Sequence, residues 1–263
     1  MPLVHPVYDE IVEFFRRIIE LRENHVDKLR KAVSVPAVDA GLLCERIREG
    51  VPFIDRQEIW PSVELVKPYF MSLADLFVQR SPEEVKAAYE VAGRKELFEG
   101  LIHDALNGDD TINESSPLLA FLARESVSPL LQVYAEPFAG RPELDAWEHG
   151  YCPACGDLPL IGVIHGEHGK KSLVCRSCRA WWPFLRIKCC YCGTEQQESI
   201  SMLVVEGDDR YRVEMCKNCN MYLKVVDLRN SSGGFSPDLE DVTTLHLDII
   251  ARDKGYESPN ILL

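Results

Sequence analysis

Eight of the ten cysteines in this chain form four C-x-x-C pairs between Cys152 and Cys219. The pairs lie at the two ends of each of two matching stretches. Each stretch begins C-x-x-C-G, runs through two alternating apolar segments around a glycine-containing turn, and ends C-x-x-C. Such self-similarity is the signature of one supersecondary unit used twice. The repeat therefore predicts two β-hairpins, with turns at Gly166–Gly169 and Gly207–Asp209.

The cysteine spacing predicts one metal site in each repeat, because two C-x-x-C turns at opposite ends of a hairpin supply a tetrahedron of thiolates. The predicted ligands are Cys152, Cys155, Cys175 and Cys178 in the first site, and Cys189, Cys192, Cys216 and Cys219 in the second. The alternative is that the pairs are four redox dithiols or that their spacing arose by chance. Cys190 is predicted not to be a ligand, since its pairing with Cys192 would leave only one residue between them. His165 and His168 lie in the predicted turn and are also excluded.

The charge of the chain is unevenly distributed. Residues 1–150 have a net charge of −11, residues 151–230 a net charge of +2, and residues 231–263 a net charge of −4. Each four-cysteine site with a divalent ion contributes about −2, so the positive charge of the cysteine-rich region disappears and nucleic acid is not an expected partner. Aromatic residues there are expected to pack small cores, with Trp181-Trp182 the pair expected at a partner surface.

Neither catalysis nor a membrane span is expected. Four thiolates leave no open coordination position, and the chain lacks a G-x-S-x-G, an H-E-x-x-H and a phosphate-binding loop. No apolar run is long enough to cross a bilayer. Acidic residues stand where a signal peptide would be apolar, so a cytoplasmic location is expected. In a reducing compartment, C-x-x-C pairs more often bind metal than form disulfides.

The first 150 residues are predicted to form a bundle of five to seven helices. Apolar residues recur at helical spacing from Val7, and a further helix is predicted from a Ser81 cap to Asn107-Gly108. Two more are predicted over 61–79 and 116–135, with Pro68 and Pro129 kinking or breaking them. Cys44 is interpreted as a small buried residue. The acidic surface either binds a positively charged partner or is simply solvated.

Four motifs and the C-terminal tail resemble the formate dehydrogenase accessory protein FdhE family. The motifs are W-x-x-G-Y-C-P-x-C-G-x-x-P from Trp147, L-x-C-x-x-C-x-x-W-W from Leu173, R-x-K-C-x-x-C-G from Arg186, and R-x-E-x-C-x-x-C-x-x-Y-L-K-x-x-D from Arg212. The tail LEDVTTLHLDIIARDKGY resembles the closing helix of the family. The resemblance is specific over residues 147–260 and weaker over the helical half.

The resemblance implies an α+β, multidomain fold: an N-terminal α-helical bundle, two tandem rubredoxin-like or zinc-ribbon β modules and a C-terminal helix. The predicted parts are residues 1–146, 147–187, 188–230 and 231–263. It also implies a non-enzymatic, cytoplasmic protein that is needed for active formate dehydrogenase and binds its catalytic subunit before twin-arginine export. The eight paired cysteines would hold two metal ions, Zn²⁺ or iron. The alternative function is a rubredoxin-like electron carrier in which four cysteines hold each iron ion.

Overall fold

A computed structural model describes residues 6–59, 63–108, 116–205, 209–229 and 234–260. Its helices are α1 (Pro6–Ala32), α2 (Ala40–Glu49), α3 (Val63–Phe77), α4 (Pro82–Gly93), α5 (Lys95–Asn107), α6 (Pro117–Ala135), α7 (Pro237–Thr243) and α8 (Leu245–Asp253). Its strands are β1 (Pro159–His165), β2 (Lys170–Cys175), β3 (Trp181–Phe184), β4 (Ile200–Val204), β5 (Tyr211–Cys216) and β6 (Tyr222–Asp227). The predicted fold class is confirmed: helices come first, then a mixed sheet, then C-terminal helices.

The chain divides into two compact units. The helical unit consists of Arg17–Ala37 and Ile54–Pro137, and the sheet unit consists of the chain up to Arg16, Val38–Phe53 and the chain from Phe138 onward. The sheet unit thus includes α2, which precedes most of the helical unit in sequence. The predicted division into residues 1–146, 147–187, 188–230 and 231–263 stays a prediction.

The helical unit has a core of large apolar side chains from α3 to α6. Phe70 and Phe98 are fully buried and meet edge to face, with ring centroids 5.0 Å apart. Beside them, Glu125 accepts hydrogen bonds from Arg22 at 3.0 Å and from the Tyr69 hydroxyl at 3.1 Å. Burial of the apolar faces, together with these paired polar groups, stabilises the bundle.

Helix boundaries in this unit differ from the predicted ones in three places. The predicted helix from Ser81 to Asn107 is two helices, because Arg94 between them has an extended backbone, and Ser81 makes no capping hydrogen bond. Helices α3 and α6 continue through Pro68 and Pro129, so neither proline breaks its helix. Gly108 ends α5 in the left-handed conformation, as the sequence predicted.

Cys44 is exposed, so its interpretation as a buried residue was wrong. It lies on α2, where Leu43 is the buried residue. Neighbouring residues of a helix point in different directions, so a short amphipathic helix buries one and exposes the next. The cysteine is therefore available to solvent without any part in the two predicted metal sites.

The two cysteine repeats form a single six-stranded sheet in the order β3-β2-β1-β6-β5-β4. Each repeat supplies three consecutive antiparallel strands, and the two sets join where β1 pairs with β6 in parallel. The predicted turn at Gly166–Gly169 is confirmed between β1 and β2, with a 3.0 Å hydrogen bond from Gly169 N–H to Gly166 O. Of the turn predicted at Gly207–Asp209, residues 207 and 208 lie outside the described residues.

Helices α7 and α8 cover one face of the sheet, where a single C-terminal helix was predicted. Lys224 of β6 reaches them with a buried ammonium group, which lies 2.7 Å from both Asp241 Oδ1 and Asp248 Oδ2. Tyr222 donates a hydrogen bond of 2.8 Å to Asp248. This pairing offsets only part of the cost of removing the charged groups from water, because burial raises the pKa of Asp241 to about 6 despite the nearby ammonium group. It holds the C-terminal helices on the second repeat.

A buried ion pair on the opposite face connects the two repeats. Lys171 of β2 contacts Glu214 of β5, although β1 and β6 lie between these strands. Gly162 of β1 leaves room for the lysine, since a Cβ at that position would lie 3.6 Å from Lys171 Cε and only 3.0 Å from a Val225 methyl carbon. The absence of a side chain at Gly162 thus lets the two repeats pack closely.

Two candidate four-cysteine metal centres

The first cluster brings together Cys152, Cys155, Cys175 and Cys178, whose Sγ atoms lie within 4.8 Å of one another. All four cysteines are buried. The Sγ atoms of Cys152 and Cys178 are 3.5 Å apart, as are those of Cys155 and Cys175. Zinc–sulfur bonds of about 2.3 Å place the corners of a tetrahedron about 3.8 Å apart, so the sulfurs fit around one ion of this size.

The second cluster brings together Cys189, Cys192, Cys216 and Cys219, again within 4.8 Å of one another. Its Sγ–Sγ distances are 3.7 Å for Cys189 and Cys219 and 3.7 Å for Cys192 and Cys216. It is more open to solvent than the first, because Cys192 is exposed and Cys219 is half-buried. Both clusters can hold a metal ion, and the donor set suits zinc and iron equally.

All four C-x-x-C turns share one backbone geometry. In each, the first cysteine donates its N–H to the carbonyl five residues later, at 2.7 to 2.9 Å. The residue after the second cysteine always has a positive φ; these residues are Gly156, Arg179, Gly193 and Asn220. Glycine adopts this conformation without strain, and asparagine tolerates it. The positive φ is therefore the requirement of the turn, and glycine after CPAC and CCYC meets it without strain.

Arg179 is the unusual residue of this set, since a long side chain at φ 57° is strained. Its guanidinium makes a bidentate ion pair with Asp238 in the first turn of α7, at 2.7 Å for the shortest contact. This charge-assisted pairing offsets the backbone strain. It also attaches the first cluster to the helical layer that covers the sheet.

Hydrogen bonds and burial set the protonation of the thiols. Burial raises the pKa of the Cys152 and Cys178 thiols well above their usual range. Burial alone would also raise the pKa of Cys192, but hydrogen bonds from the Asn218 side chain and the Thr194 backbone lower it to about 7. Since metals bind the thiolate form, filling the first cluster must displace protons from buried thiols.

The C-terminal tail contacts the turns of both clusters, a role that no local sequence signal indicates. Beside the first cluster, Arg176 donates to Asp157 at 2.7 Å and to the Pro259 carbonyl at 3.1 Å. Beside the second, Glu257 accepts a hydrogen bond from Tyr222 N–H and donates one to the Asn220 carbonyl, both at 2.8 Å. The tail thereby connects the surroundings of the two centres.

The residues that were predicted not to be ligands lie outside both clusters. Cys190 is buried and its carbonyl packs against Gly150. His165 makes a 2.8 Å hydrogen bond with Ser172 on the neighbouring strand. Of the predicted surface pair, Trp181 is 38% exposed, but Trp182 is 1% exposed, so only Trp181 is available to a partner.

Comparison with known proteins shows similarity to FdhE proteins. The model of the family described as FdhE, C-terminal domain matches residues 187–263. The protein FdhE homolog of Aquifex aeolicus is 26% identical over 95% of this chain and 87% of its own. The homolog of Stutzerimonas stutzeri is 36% identical over 43% of this chain and 38% of its own. Residues 187–263 thus match the FdhE C-terminal domain, and the chain is similar to an FdhE homolog along nearly its whole length.

A solved FdhE structure has the same fold. The crystal structure of the FdhE protein from Pseudomonas aeruginosa superimposes with a TM-score of 0.61, at 19% identity over 98% of this chain and 95% of that one. The matched FdhE C-terminal domain contains the second cysteine cluster and helices α7 and α8. Among the described helices, none has both the length and the apolar character needed to cross a bilayer.

The two cysteine clusters are expected to release metal at different rates. A chelator reaches an exposed ligand more easily than a buried one, so the second cluster, with exposed Cys192, should lose its ion first. We expect biphasic release, with the fast phase accounting for one of two ions. A chromogenic chelator followed by stopped flow measures it, and Cys192→Ser should abolish the fast phase. A single phase for both ions would contradict the prediction.

Proposed function

We propose that this protein is a non-enzymatic accessory protein for formate dehydrogenase. In this proposal it works in the cytoplasm, binds the catalytic subunit of formate dehydrogenase and supports its maturation before twin-arginine export. The observation that carries the proposal is the similarity to an FdhE homolog along nearly the whole chain, including both cysteine repeats. The accessory role is what that family relationship suggests for this chain.

The chemistry of the cysteine clusters supports a structural or binding role. A catalytic zinc ion keeps one coordination position for water or substrate, whereas four thiolates fill a tetrahedral site. We propose that each cluster holds one zinc or iron ion. Such an ion would cross-link the two ends of each hairpin and contribute directly to the folding free energy. The result is a rigid surface on which a client can bind.

The helical half offers a second supporting feature. Residues 1–150 have a net charge of −11, and long-range attraction to a basic segment depends on ionic strength. We propose that this acidic surface attracts the twin-arginine signal region of the client. Binding of a synthetic signal peptide should weaken as salt is raised, and equal affinity at low and high ionic strength would contradict this part of the proposal.

Affinity isolation from the native host tests the accessory role. The tagged protein would be produced anaerobically, isolated and analysed for bound proteins and for metal content. Recovery of a formate dehydrogenase catalytic subunit is the expected result, with the exposed-cysteine variant Cys44→Ser as a control that should recover it equally well. Recovery of a different oxidoreductase, or of no client at all, would contradict the proposal.

An electron carrier is the second candidate function. Backbone N–H groups approach cysteine sulfurs in both clusters, for example Ser177 N–H to Cys175 at 3.3 Å and Tyr191 N–H to Cys189 at 3.4 Å. Hydrogen bonds to sulfur tune the potential of iron–thiolate sites. A coloured iron form with a reversible one-electron wave would favour this candidate, and a colourless zinc protein would eliminate it.

A further inference from the structure

One stretch of the sheet unit has a charge opposite to that of the whole chain. Residues 165–188 contain six lysines and arginines and one glutamate, a net charge of +5 in a chain of net charge −13. Four of these cations lie in ion pairs with carboxylates from elsewhere, namely Lys171 with Glu214, Arg176 with Asp157, Arg179 with Asp238 and Lys188 with Glu195. The other two, Lys170 and Arg186, lie near the turn between β1 and β2.

Three arginines lie near this turn, and two of them pair with one carboxylate. Arg229 and Arg212 both contact Asp227, at 2.7 Å and 2.9 Å. Arg186 lies beside them, because a Cβ on Gly169 would be 3.3 Å from Nη1 of Arg186 and 3.3 Å from Nη1 of Arg229. Within the described part of the chain Arg186 has no ion pair. Together with exposed Lys170 the group has four cations against two carboxylates, Asp227 and exposed Glu167 of the turn, so positive charge is in excess.

The position of these cations separates them from the metal centres. Cys175 and Cys216 end β2 and β5, whereas Lys170 begins β2 and Arg212 lies at the start of β5. Lys170 and Arg212 therefore lie five and four residues from the cysteines that end their strands, which is roughly 17 Å and 13 Å at about 3.3 Å per residue. Leu185, Arg186 and Ile187 lie closer in sequence to the second cluster, since Cys189 follows Ile187 by two residues.

Two exposed aliphatic side chains flank Arg186 in the sequence. Leu185 is 58% exposed and Ile187 is 46% exposed. Single exposed aliphatic residues are common, but here one stands on each side of Arg186 in the sequence, and arginine is a residue type that is enriched in protein interfaces. Pro183 of the edge strand β3 lacks an N–H, which disfavours the addition of a partner strand. Contact here would therefore be made by side chains.

We propose that this cationic end, formed by Leu185, Arg186, Ile187, Arg229, Arg212 and Lys170, is a docking surface for an acidic, partly apolar segment of a partner protein. A carboxylate of the segment binds the Arg186 guanidinium in bidentate fashion, while Arg229 and Arg212, which already pair with Asp227, add long-range attraction. Aliphatic side chains of the segment cover Leu185 and Ile187. A small free anion would satisfy the cations but leave both aliphatic residues in water. The identification of the partner as the formate dehydrogenase catalytic subunit rests on the proposed function. The existence of the docking surface is argued independently of that function.

A defined peptide tests the surface without a client. The probe is a short fluorescein-labelled peptide of glutamate, leucine and serine, and its binding to the metal-loaded protein is measured by anisotropy at low and physiological ionic strength. We expect Arg186→Glu to weaken binding at least tenfold, roughly the effect of removing an interface hot spot. Leu185→Ser should weaken it severalfold. A peptide with serine in place of leucine should bind less tightly than the probe.

Matched substitutions elsewhere in the sheet unit control for charge and apolarity. Lys254→Glu makes a comparable change of charge at an exposed residue beyond the end of α8, and Ile249→Ser removes an equally exposed aliphatic side chain. Both should bind the probe like the unmodified protein. Metal content and thermal unfolding are measured for every variant, and Arg186→Gln replaces Arg186→Glu if the latter does not fold. Equal loss of binding in the control variants would overturn the proposal.

Recovery of the catalytic subunit separates this inference from the proposed function. If the unmodified protein recovers the subunit and Arg186→Glu does not, the surface is the client-binding one. Equal recovery by both proteins would overturn the inference and leave the proposed function intact. If even the unmodified protein recovers no subunit, the proposed function fails. The docking surface is then tested by the peptide-binding measurement alone. Competition by inorganic phosphate, with no effect of Leu185→Ser, would identify a small-anion site and overturn the docking surface.

Discussion

Replacing Cys152 and Cys155 with serine is expected to remove one of the two metal ions and to unfold the sheet around β1 and β2. Hydroxyl groups at these positions cannot replace thiolates as zinc or iron ligands. Metal binding at a structural site of this kind contributes about 10 to 16 kcal/mol in zinc-finger peptides, far more than the margin of stability of a typical domain. The remaining buried thiols Cys175 and Cys178 would lose their partners.

Metal content per chain and thermal unfolding of the same sample measure this effect. Because β1 also pairs with β6, the second repeat should unfold at a lower temperature even though its cysteines are unchanged. The control is Cys44→Ser, which alters an exposed thiol outside both clusters and should preserve both ions and the melting profile. A double variant that kept two ions per chain would refute the ligand assignment of the first cluster.

Replacing Gly150 with alanine is expected to have an effect of similar severity for a different reason. A Cβ at this position would lie 1.8 Å from Cys190 O, 2.5 Å from its carbonyl carbon and 2.7 Å from its Cα. These are backbone atoms, which cannot rotate away as a side chain can, and they belong to the second C-x-x-C-G turn. Relief of the overlap must move that turn, so we expect a loss of about 3 kcal/mol or more in the free energy of unfolding.

Urea unfolding, followed by the fluorescence of the tryptophans, measures the loss. Gly234→Ala is the matched control, because a Cβ there meets no atom within 4 Å, and its effect should stay within about 0.5 kcal/mol. The metal content of Gly150→Ala should fall chiefly at the second cluster, since Cys190 adjoins the ligand Cys189. An unchanged urea midpoint would show that the packing of these two segments is looser than the structure indicates.

The sequence was most informative where chemistry dictates spacing. Four C-x-x-C pairs in two matched repeats predicted which sulfurs meet, and the structure brings together the same two groups of four. The hairpin turn at Gly166–Gly169 was predictable for a similar reason, since both glycines have positive φ. The family resemblance was visible because the motifs around the cysteines are specific, and comparison with FdhE proteins confirmed it.

Features that depend on distant parts of the chain could not be predicted from the sequence. The parallel pairing of Gly162 with Val225 joins strands from different repeats and has no local signal. The same holds for the contacts of Glu257 and Pro259 with the cysteine turns. In the helical unit the existence of helices was predictable from periodicity, but the break at Arg94 was not, because packing overrides local propensity at helix ends.

The pairing of β1 with β6 has a consequence for how such a duplicated unit can change over time. In the fused sheet each repeat shields one strand of the other, so a chain that lost either repeat would expose a row of unpaired backbone groups. Such an edge invites aggregation with any other extended chain. A deletion that removed one whole repeat would therefore still promote aggregation. Selection against aggregation is expected to retain both repeats.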